Sequence, residues 1–422
     1  MKIQRCKGTR DLSPEEMRRF RIIEATFRDR CLRWGYQEVR TPTLEYLHLF
    51  TATGTLTPGR LNRVYSFLDW DGWSGERVVL RPDGTIPVAR LYIDSLARQG
   101  TAKLFYVSNL FIFEETGQEP RERWQGGVEL IGVGSPLADA GLVTLTLEVL
   151  EQLKISGVEV RLSHAGLIRE LLSQLGLSAG EQARLFDQIL DGDAEALARL
   201  PAARPEVRKA LSLLVELKGK SSGFVKNLKA LFCQSLAALE PHLDNFIAVV
   251  ELLETLRCPY QIELASGRGF EYYTGMMFQV VRDGMVLGGG GRYDNLIPLM
   301  GGEATPASGF ALYFDHIMNL LPPEMLAGRP GARVLIKAGA GQPETVAPVL
   351  RLARRLRDAG YIVELDPGGY QPAGRRWQLE WRRQPPAWLV TDVAKGQSVE
   401  RPTADGVLAW LEGKGADKDS PA

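Results

Sequence analysis

Four cysteines and four histidines in 422 residues give a metal centre or a disulfide framework little to be built from. Cys6, Cys31, Cys233 and Cys258 are dispersed and form no Cys-x-x-Cys pair, the pattern of reduced thiols rather than of zinc or disulfide sites. His48, His164, His242 and His316 are equally scattered, so no structural metal and no cofactor are expected. Uninterrupted apolar runs of about 18 to 20 residues are absent, which argues against a membrane-spanning helix. Met1 to Leu12 is polar and charged, unlike a signal peptide, and a cytoplasmic location is expected. An excess of one charge is missing too. Lysine plus arginine equals aspartate plus glutamate, 51 each, so no whole-molecule field draws in nucleic acid. There is no internal repeat.

What is present is an ordinary globular composition, 45% apolar and 24% charged, on a chain long enough for two or three domains. Ser13, Pro14, Glu15 and Glu16 supply a capping hydroxyl, a proline for the first helical position and acids for the first turn. Met17, Phe20, Ile23, Phe27 and Leu32 then recur at helical spacing until Gly35. Tyr36 to Pro42 reads as a strand ended by proline, an edge or interface strand. Strands are expected at Val78–Arg81 and Lys103–Val107 around a helix, then a hairpin from Leu110–Glu114 and Trp124–Val133. Leu137 to Leu153 reads as an apolar helix and Val158 to Leu162 as a short strand. From about 165 to 257 the chain is rich in leucine, alanine and charge, which predicts a helical insertion.

Strand signals return at Tyr260–Leu264, Tyr272–Val281 and Met285–Leu287, before Gly288–Gly291 and a helix around Phe310 to Leu321. These readings place a core at 1–322, a Pro- and Gly-rich linker at 323–331 and a small α/β domain at 332–414. The small domain opens with a βαβ pattern: strand Arg333–Lys337, helix Thr345–Ala359 and strand Tyr361–Leu365. Residues 415–422 are expected to form a disordered tail.

Several stretches, in order, carry a resemblance. They are Lys7-Gly-Thr-Arg-Asp-Leu-Ser-Pro-Glu15, Leu80-Arg-Pro-Asp-Gly-Thr85, Phe111-Ile-Phe-Glu114 with Arg121-Glu-Arg-Trp-Gln125, Arg268-Gly-Phe-Glu-Tyr-Tyr-Thr-Gly275, Gly290-Gly-Arg-Tyr-Asp294 and Gly309-Phe-Ala311. Together they resemble the class II aminoacyl-tRNA synthetase core, specifically its histidyl member. The resemblance implies an α+β fold: a six-stranded antiparallel sheet flanked by helices, dimeric through the first helix and the strand after it.

Two positions depart from that pattern. An active enzyme has arginine where Ile112 stands, contacting the phosphate beside the reacting carboxylate. It has a second arginine where His316 stands, holding the far end of the nucleotide. Adenylation concentrates charge on the α-phosphate, and stabilising that charge in a dry site is the main catalytic task. Arginine does so with a fixed, permanently charged fork. Isoleucine offers no donor, and histidine is shorter with a charge that depends on pH. No catalytic residues are therefore expected.

The amino-acid pocket reads differently. Alternation on a strand points Gln125, Gly127 and Glu129 the same way, with Gln125 and Glu129 roughly 13 Å apart along the strand at roughly 3.3 Å per residue. The glycine between them is expected to leave room for a ligand. The resemblance implies that Glu129 faces an imidazole, Gln125 and Arg268 a carboxylate, Asp83 and Thr85 an amino group, and Tyr272 and Tyr273 the ring. Asp83 replaces a longer glutamate.

A synthetase-like chain with these replacements resembles the regulatory subunits of ATP phosphoribosyltransferase, as does Gln125-Gly-Gly-Val-Glu-Leu-Ile-Gly132. That family lacks aminoacylation activity and associates with the short-form catalytic subunit of the first step of histidine biosynthesis. The partners implied are that subunit, a second copy of the chain, and L-histidine as a ligand, with no membrane and no tRNA. The competing readings are an active histidyl-tRNA synthetase or another synthetase-derived amino-acid sensor.

Other motifs are read blandly. Gly288–Gly291 is expected to serve as a turn or to pack against the sheet, since no lysine–hydroxyl pair follows it. Gly219-Lys-Ser-Ser222 lacks the upstream glycine of a P-loop and is read in a helical setting. Arg351, Arg354, Arg355 and Arg357, with Arg375 and Arg376, are read as a solvated helix face ahead of contact with a protein partner, and tRNA comes last. The sequence after Gly369, with Trp377, Trp381 and Trp388, does not obviously continue an anticodon-binding domain.

Overall fold

Ser13 opens the first helix, α1 (Pro14–Arg33), with a reciprocal cap: Glu16 N–H donates to Ser13 Oγ, and Ser13 N–H donates to Glu16 Oε2 at 2.7 Å. The computed structural model describes residues 3–53, 63–70, 75–113, 120–190, 205–264, 272–326, 333–337, 343–366, 368, 374–383 and 386–413. The chain divides into two units, residues 1–326 and 327–422.

After α1 the first unit contains β1 (Gln37–Glu38), β2 (Leu44–Tyr46), α2 (Leu47–Ala52), β3 (Ser66–Trp70), β4 (Gly75–Leu80) and α3 (Thr85–Leu91). Then come β5 (Ala102–Phe111), β6 (Glu122–Ile131), α4 (Pro136–Gln152), β7 (Glu159–His164), α5 (Ala165–Ser173) and α6 (Ala179–Leu190). Next are α7 (Pro205–Glu216), β8 (Lys218–Gly219), α8 (Ser222–Phe232), α9 (Glu240–Thr255) and β9 (Tyr260–Glu263). The unit ends with β10 (Met276–Arg282), β11 (Met285–Arg292), α10 (Leu296–Leu299), β12 (Ala307–Tyr313), α11 (Phe314–Met318) and α12 (Pro323–Leu326).

The main sheet runs β1-β5-β6-β12-β11-β10-β7-β9-β8. Its middle six strands, β5 to β7 in that order, pair antiparallel throughout, as expected. Two parallel joins extend it: β1 on β5 at one edge and β9 on β7 at the other. A parallel neighbour needs a long crossover. The segment from α5 to α9 supplies one between β7 and β9. Its helices bury Leu167, Ile168, Leu171, Leu211, Val225 and Phe246 in the same core as the sheet. On the opposite side of the sheet order, α1 lays Phe20 and Phe27 against Trp124, Phe105 and Phe314 in edge-to-face contacts.

Several local expectations change. The strand after α1 pairs with β5 over only Gln37 and Glu38. Lys103–Val107 and Leu110–Phe111 belong to one strand, β5, because its ladder with β6 continues unbroken from Ala102 to Phe111; Glu114 lies outside the described residues. Gly288–Gly291 is neither a turn nor a strand end but the middle of β11. Its neighbours approach so closely that a Cβ on Gly291 would lie 2.6 Å from the Met276 carbonyl, and only glycine fits. Phe310 belongs to β12, and the helix begins at Phe314.

Gly219-Lys-Ser-Ser222 spans the end of β8 and the cap of α8 rather than a helix. Ser221 caps Phe224, and both Ser222 N–H and its hydroxyl donate to Glu254, so a carboxylate already takes the helix end. Pro323–Leu326, expected in a linker, forms the helical turn α12; 327–332 and the expected tail lie outside the described residues.

The second unit holds β13 (Arg333–Lys337), α13 (Pro343–Asp358), β14 (Ile362–Asp366), β15 (Trp377–Arg383), β16 (Pro386–Asp392), β17 (Gln397–Arg401) and α14 (Ala404–Leu411). The sheet order is β14-β13-β15-β16-β17. The Trp-bearing stretch extends the sheet of this unit: β15 joins β13 in parallel, and β16 and β17 follow as an antiparallel meander. Alternation explains it. Trp377, Leu379, Val390 and Trp388 face one way and share a core with Val349, Leu352 and Leu356 of α13.

Candidate functional site

Glu129 lies in the middle of β6, 1% exposed. Thr85, the first residue of α3, donates its hydroxyl to Glu129 Oε1 at 2.7 Å, and the Tyr293 hydroxyl donates to Glu129 Oε2. Burial pushes the Glu129 carboxyl up to about 8, against the pull of those two hydrogen bonds. Opposite Glu129 across the ladder is Gly309, where any Cβ would overlap the carboxylate. The strand partner is a glycine because the acid occupies its side-chain space.

Asp83 precedes α3. Its Oδ1 accepts the Ile86 N–H at 2.8 Å, and burial pushes this carboxyl up to about 6, against hydrogen bonds from Ile86, Thr85 and Tyr272. Gln125 Nε2 donates to the Tyr106 hydroxyl at 2.9 Å. The space above Gly127, expected to be open for a ligand, is filled by the Tyr106 ring. Added Cβ atoms at Gly127 or Gly84 would both overlap it. Tyr272 packs edge-to-face on Tyr273 and Tyr293, with ring centres 5.2 and 5.6 Å apart. Burial holds the phenols of Tyr106, Tyr272, Tyr273 and Tyr293 well above their usual range, so all four stay protonated donors.

Asp83, Thr85, Gln125, Tyr272, Tyr273 and Tyr293 line a common cavity with Gly289 and Gly309–Ala311. Five of the seven residues singled out in the sequence are thereby brought together. Glu129 lies one layer deeper, reached through Thr85 and Tyr293. Arg268 lies outside the described residues. The cavity is small, about 20 Å³, room for a water molecule. An amino acid enters only when neighbouring side chains move.

Below Tyr293, its neighbour Arg292 is pinned in a buried fork. Arg292 Nε and Nη2 reach Asp139 Oδ2 and Oδ1 at 3.1 and 2.7 Å, and Nη1 reaches Asp294 Oδ1 at 3.1 Å. Asp294 Oδ1 in turn accepts the Ala307 N–H at 3.0 Å. The Gly-Gly-Arg-Tyr-Asp run is thus a clamp that aims Tyr293 at Glu129.

The two positions expected to face a nucleotide lie just beyond strands of the sheet, Ile112 after β5 and His316 in the helix after β12. Ile112 follows β5 and gives its N–H to the Arg121 carbonyl across the hairpin at 2.9 Å. His316, in α11, sets Nδ1 2.7 Å from the Val286 carbonyl. Asp315 accepts the Trp124 N–H at 2.6 Å and pairs with Arg10 of the amino-terminal segment. Among the described residues no group of three or more His, Cys, Asp or Glu side chains gathers as metal ligands would. No helix among them is long and apolar enough to cross a membrane.

Tyr106 and Tyr293 were not singled out by sequence reasoning. Tyr293 carried a signal, since it lies inside a motif already noted. Tyr106 carried one only in register, as the aromatic directly opposite Gly127.

Comparison with known proteins gives the family. The histidyl-tRNA synthetase family model matches residues 8–317. The chain is 50% identical over 412 residues to the ATP phosphoribosyltransferase regulatory subunit of Dehalococcoides mccartyi, covering 98% of this chain and 99% of that one. This chain belongs to the histidyl-tRNA synthetase family and, within it, to the ATP phosphoribosyltransferase regulatory subunits. It is also 34% identical to the histidine–tRNA ligase of Methanocaldococcus jannaschii over 86% of each chain. The fold resembles an ATP phosphoribosyltransferase regulatory subunit/histidyl-tRNA synthetase from Bacillus halodurans, with TM-score 0.74, 25% identity and coverage of 88% and 95%. Histidyl-tRNA synthetase from Nostoc shares the fold at TM-score 0.72 and 20% identity, over 98% and 100% of the two chains.

Proposed function

We propose that this chain is the regulatory subunit of an ATP phosphoribosyltransferase, without catalytic activity of its own. It works in the cytoplasm as a homodimer inside a hetero-oligomer with the short-form catalytic subunit, at the first step of histidine biosynthesis. The observation that carries the reading is the uneven state of the synthetase site. Ile112 and His316 stand where a nucleotide needs permanent cations, while the acid, hydroxyl and tyrosine cluster around Glu129 is complete. A site that keeps its amino-acid half without its nucleotide half suits sensing rather than adenylation.

The chemistry of that half matches L-histidine, which enters once the side chains around the cavity move. Its imidazole N–H needs an acceptor, which Glu129 supplies once ionised, and its ammonium group suits Asp83. Gln125 and Arg268 are assigned to the ligand carboxylate, and Tyr272 and Tyr273 to its ring. Feedback by histidine requires that the ligand bind the active and inhibited assemblies with different affinity.

The test is reconstitution. Mixed with a transferase that lacks its own regulatory domain, the purified chain is expected to co-elute with it and raise its turnover, and added L-histidine is expected to lower that turnover. A transferase fully active alone and unchanged by the chain would show the assignment to be wrong.

A further inference from the structure

Tyr272 and Tyr273 continue through Thr274 and Gly275 into β10, and this four-residue strap is tied on two sides. Towards β11, Thr274 N–H donates to the Arg292 carbonyl at 2.8 Å, and Asp294 N–H donates to Thr274 Oγ1 at 3.0 Å. The other ties come from α5, the first helix of the insertion. Ala165 N–H donates to the Gly275 carbonyl at 2.8 Å, and Arg169 Nε donates to the Tyr273 carbonyl at 2.8 Å. Between them, Gly166 has no side chain; a Cβ there would lie 2.8 Å from the Thr274 carbonyl and 2.6 Å from His242 Nδ1 of α9. Helix α5 therefore presses on the strap and on α9 at once.

Arg169 does more than hold a carbonyl. Its guanidinium carbon lies 4.2 Å from the centre of the Phe186 ring, a buried aromatic of α6. A planar guanidinium can donate along its edge while its face rests on a ring, which a lysine ammonium cannot reproduce. One side chain thus grips the backbone of a pocket tyrosine and a core residue of the insertion's second helix. The cavity beside Tyr272 and Tyr273 is too small for an amino acid as it stands. Entry must move these rings or the strap that carries them.

We propose that Arg169 is a positioning residue: it holds the Tyr272–Gly275 strap against the amino-acid pocket and carries the strap's movement on ligand entry, through Phe186, into the helical insertion. The proposal rests on the reading that this pocket takes L-histidine. It assigns the insertion a role in reporting pocket occupancy, with α5 as the link and α6 as the first element displaced.

The test is hydrogen–deuterium exchange on the full chain with and without L-histidine, beside calorimetric titration of the same samples. In the wild-type chain, L-histidine is expected to alter exchange both in the strap and in α6. Arg169→Met is expected to weaken binding by about tenfold or less, because Arg169 holds the strap and does not line the cavity, while abolishing the α6 response. Arg169→Lys keeps a charged donor and is expected to restore part of that response. Phe186→Leu cuts the link at its far end and provides a second route if Arg169→Met fails to fold. It is expected to leave affinity within about twofold and remove the α6 response. Wild-type binding without any change in α6, or an unchanged α6 response in both Arg169→Met and Phe186→Leu, overturns the coupling and leaves the pocket assignment standing. Absence of L-histidine binding to the wild-type chain overturns the pocket assignment, and the coupling falls with it.

Discussion

Around the pocket proposed for an amino acid, Glu129 is buried and bonded by two hydroxyls, and Arg292, the chain neighbour of Tyr293, is clamped between two aspartates. On the nucleotide side, an isoleucine offers only its backbone N–H, and a histidine sets its Nδ1 against a main-chain carbonyl. Strands β5, β6, β11 and β12 carry or flank both sides. On the proposed assignment the difference is one of side chains on a shared scaffold, a fold outlasting half of its site. Packing keeps the sheet, and the sheet does not depend on which groups stand at the phosphate positions.

The largest expected effect breaks the comparison outright if it fails. Histidine-dependent ATP–pyrophosphate exchange by the purified chain should stay at background. Each lost electrostatic contact is worth on the order of 10² to 10³ in rate, so the two together predict a deficit of about 10⁴ or more against an active synthetase. Exchange clearly above background would mean that other groups serve the phosphates and that the two halves are not so different.

Next comes the support beneath the amino-acid half. Asp139→Ala removes the buried partner of Arg292 and leaves it only the half-exposed Asp294, and denaturant unfolding should show a loss of about 3 kcal/mol. Replacing both partners with apolar residues should cost much less, because no uncompensated charge is then buried. Equal losses for the single and double changes would assign the cost to packing instead.

The pH dependence of stability sharpens the same contrast. In the unfolded chain Glu129 titrates near 4.5, whereas in the fold burial pushes it up to about 8. Between these values the folded chain holds a proton that the unfolded chain has released. The contribution is fully present below about pH 4.5 and is lost as pH rises through about 8. Asp83, pushed up to about 6, adds the same sign over a lower window. Unfolding free energy measured by denaturant should fall by on the order of a few kcal/mol between about pH 5 and pH 8.5, and Glu129→Gln should flatten the upper part of that slope. The wild-type slope persisting in Glu129→Gln would place the proton elsewhere.

The smallest effect belongs to the amino-terminal segment beside the nucleotide half. Ser13→Ala removes one member of the reciprocal cap and should cost about 1 kcal/mol in a denaturant titration, with L-histidine affinity unchanged. A shift in that affinity would show that the two halves communicate through α1.

Much of the framework was legible because it depends on local chemistry. The cap at Ser13, the βαβ opening of the second unit and the strands around Glu129 follow from spacing and residue type. What was misread lies where a neighbour overrides local preference. Four glycines form the middle of β11 because strands on both sides leave no room for a Cβ. Gly127 looked like a vacancy for a ligand, yet the ring of Tyr106, directly opposite in the ladder, fills it. The segment after Gly369 fell inside the expected α/β domain but showed no clear continuation of an anticodon-binding pattern, and its strands become evident only when β15 is seen lying parallel to β13.

The sequence by itself determined which chemical groups this protein owns: an isoleucine and a histidine at the two positions proposed for a nucleotide's arginines, and a carboxylate with hydroxyls around it nearby. Those are properties of composition at given positions, and no folding can add a guanidinium. Only the tertiary structure decided who meets whom. It set Tyr293 on Glu129, the Arg292 clamp on Asp139, and Arg169 between a pocket carbonyl and Phe186. Such contacts join residues up to 164 positions apart, and their partners are fixed by sheet register and burial rather than by any local pattern.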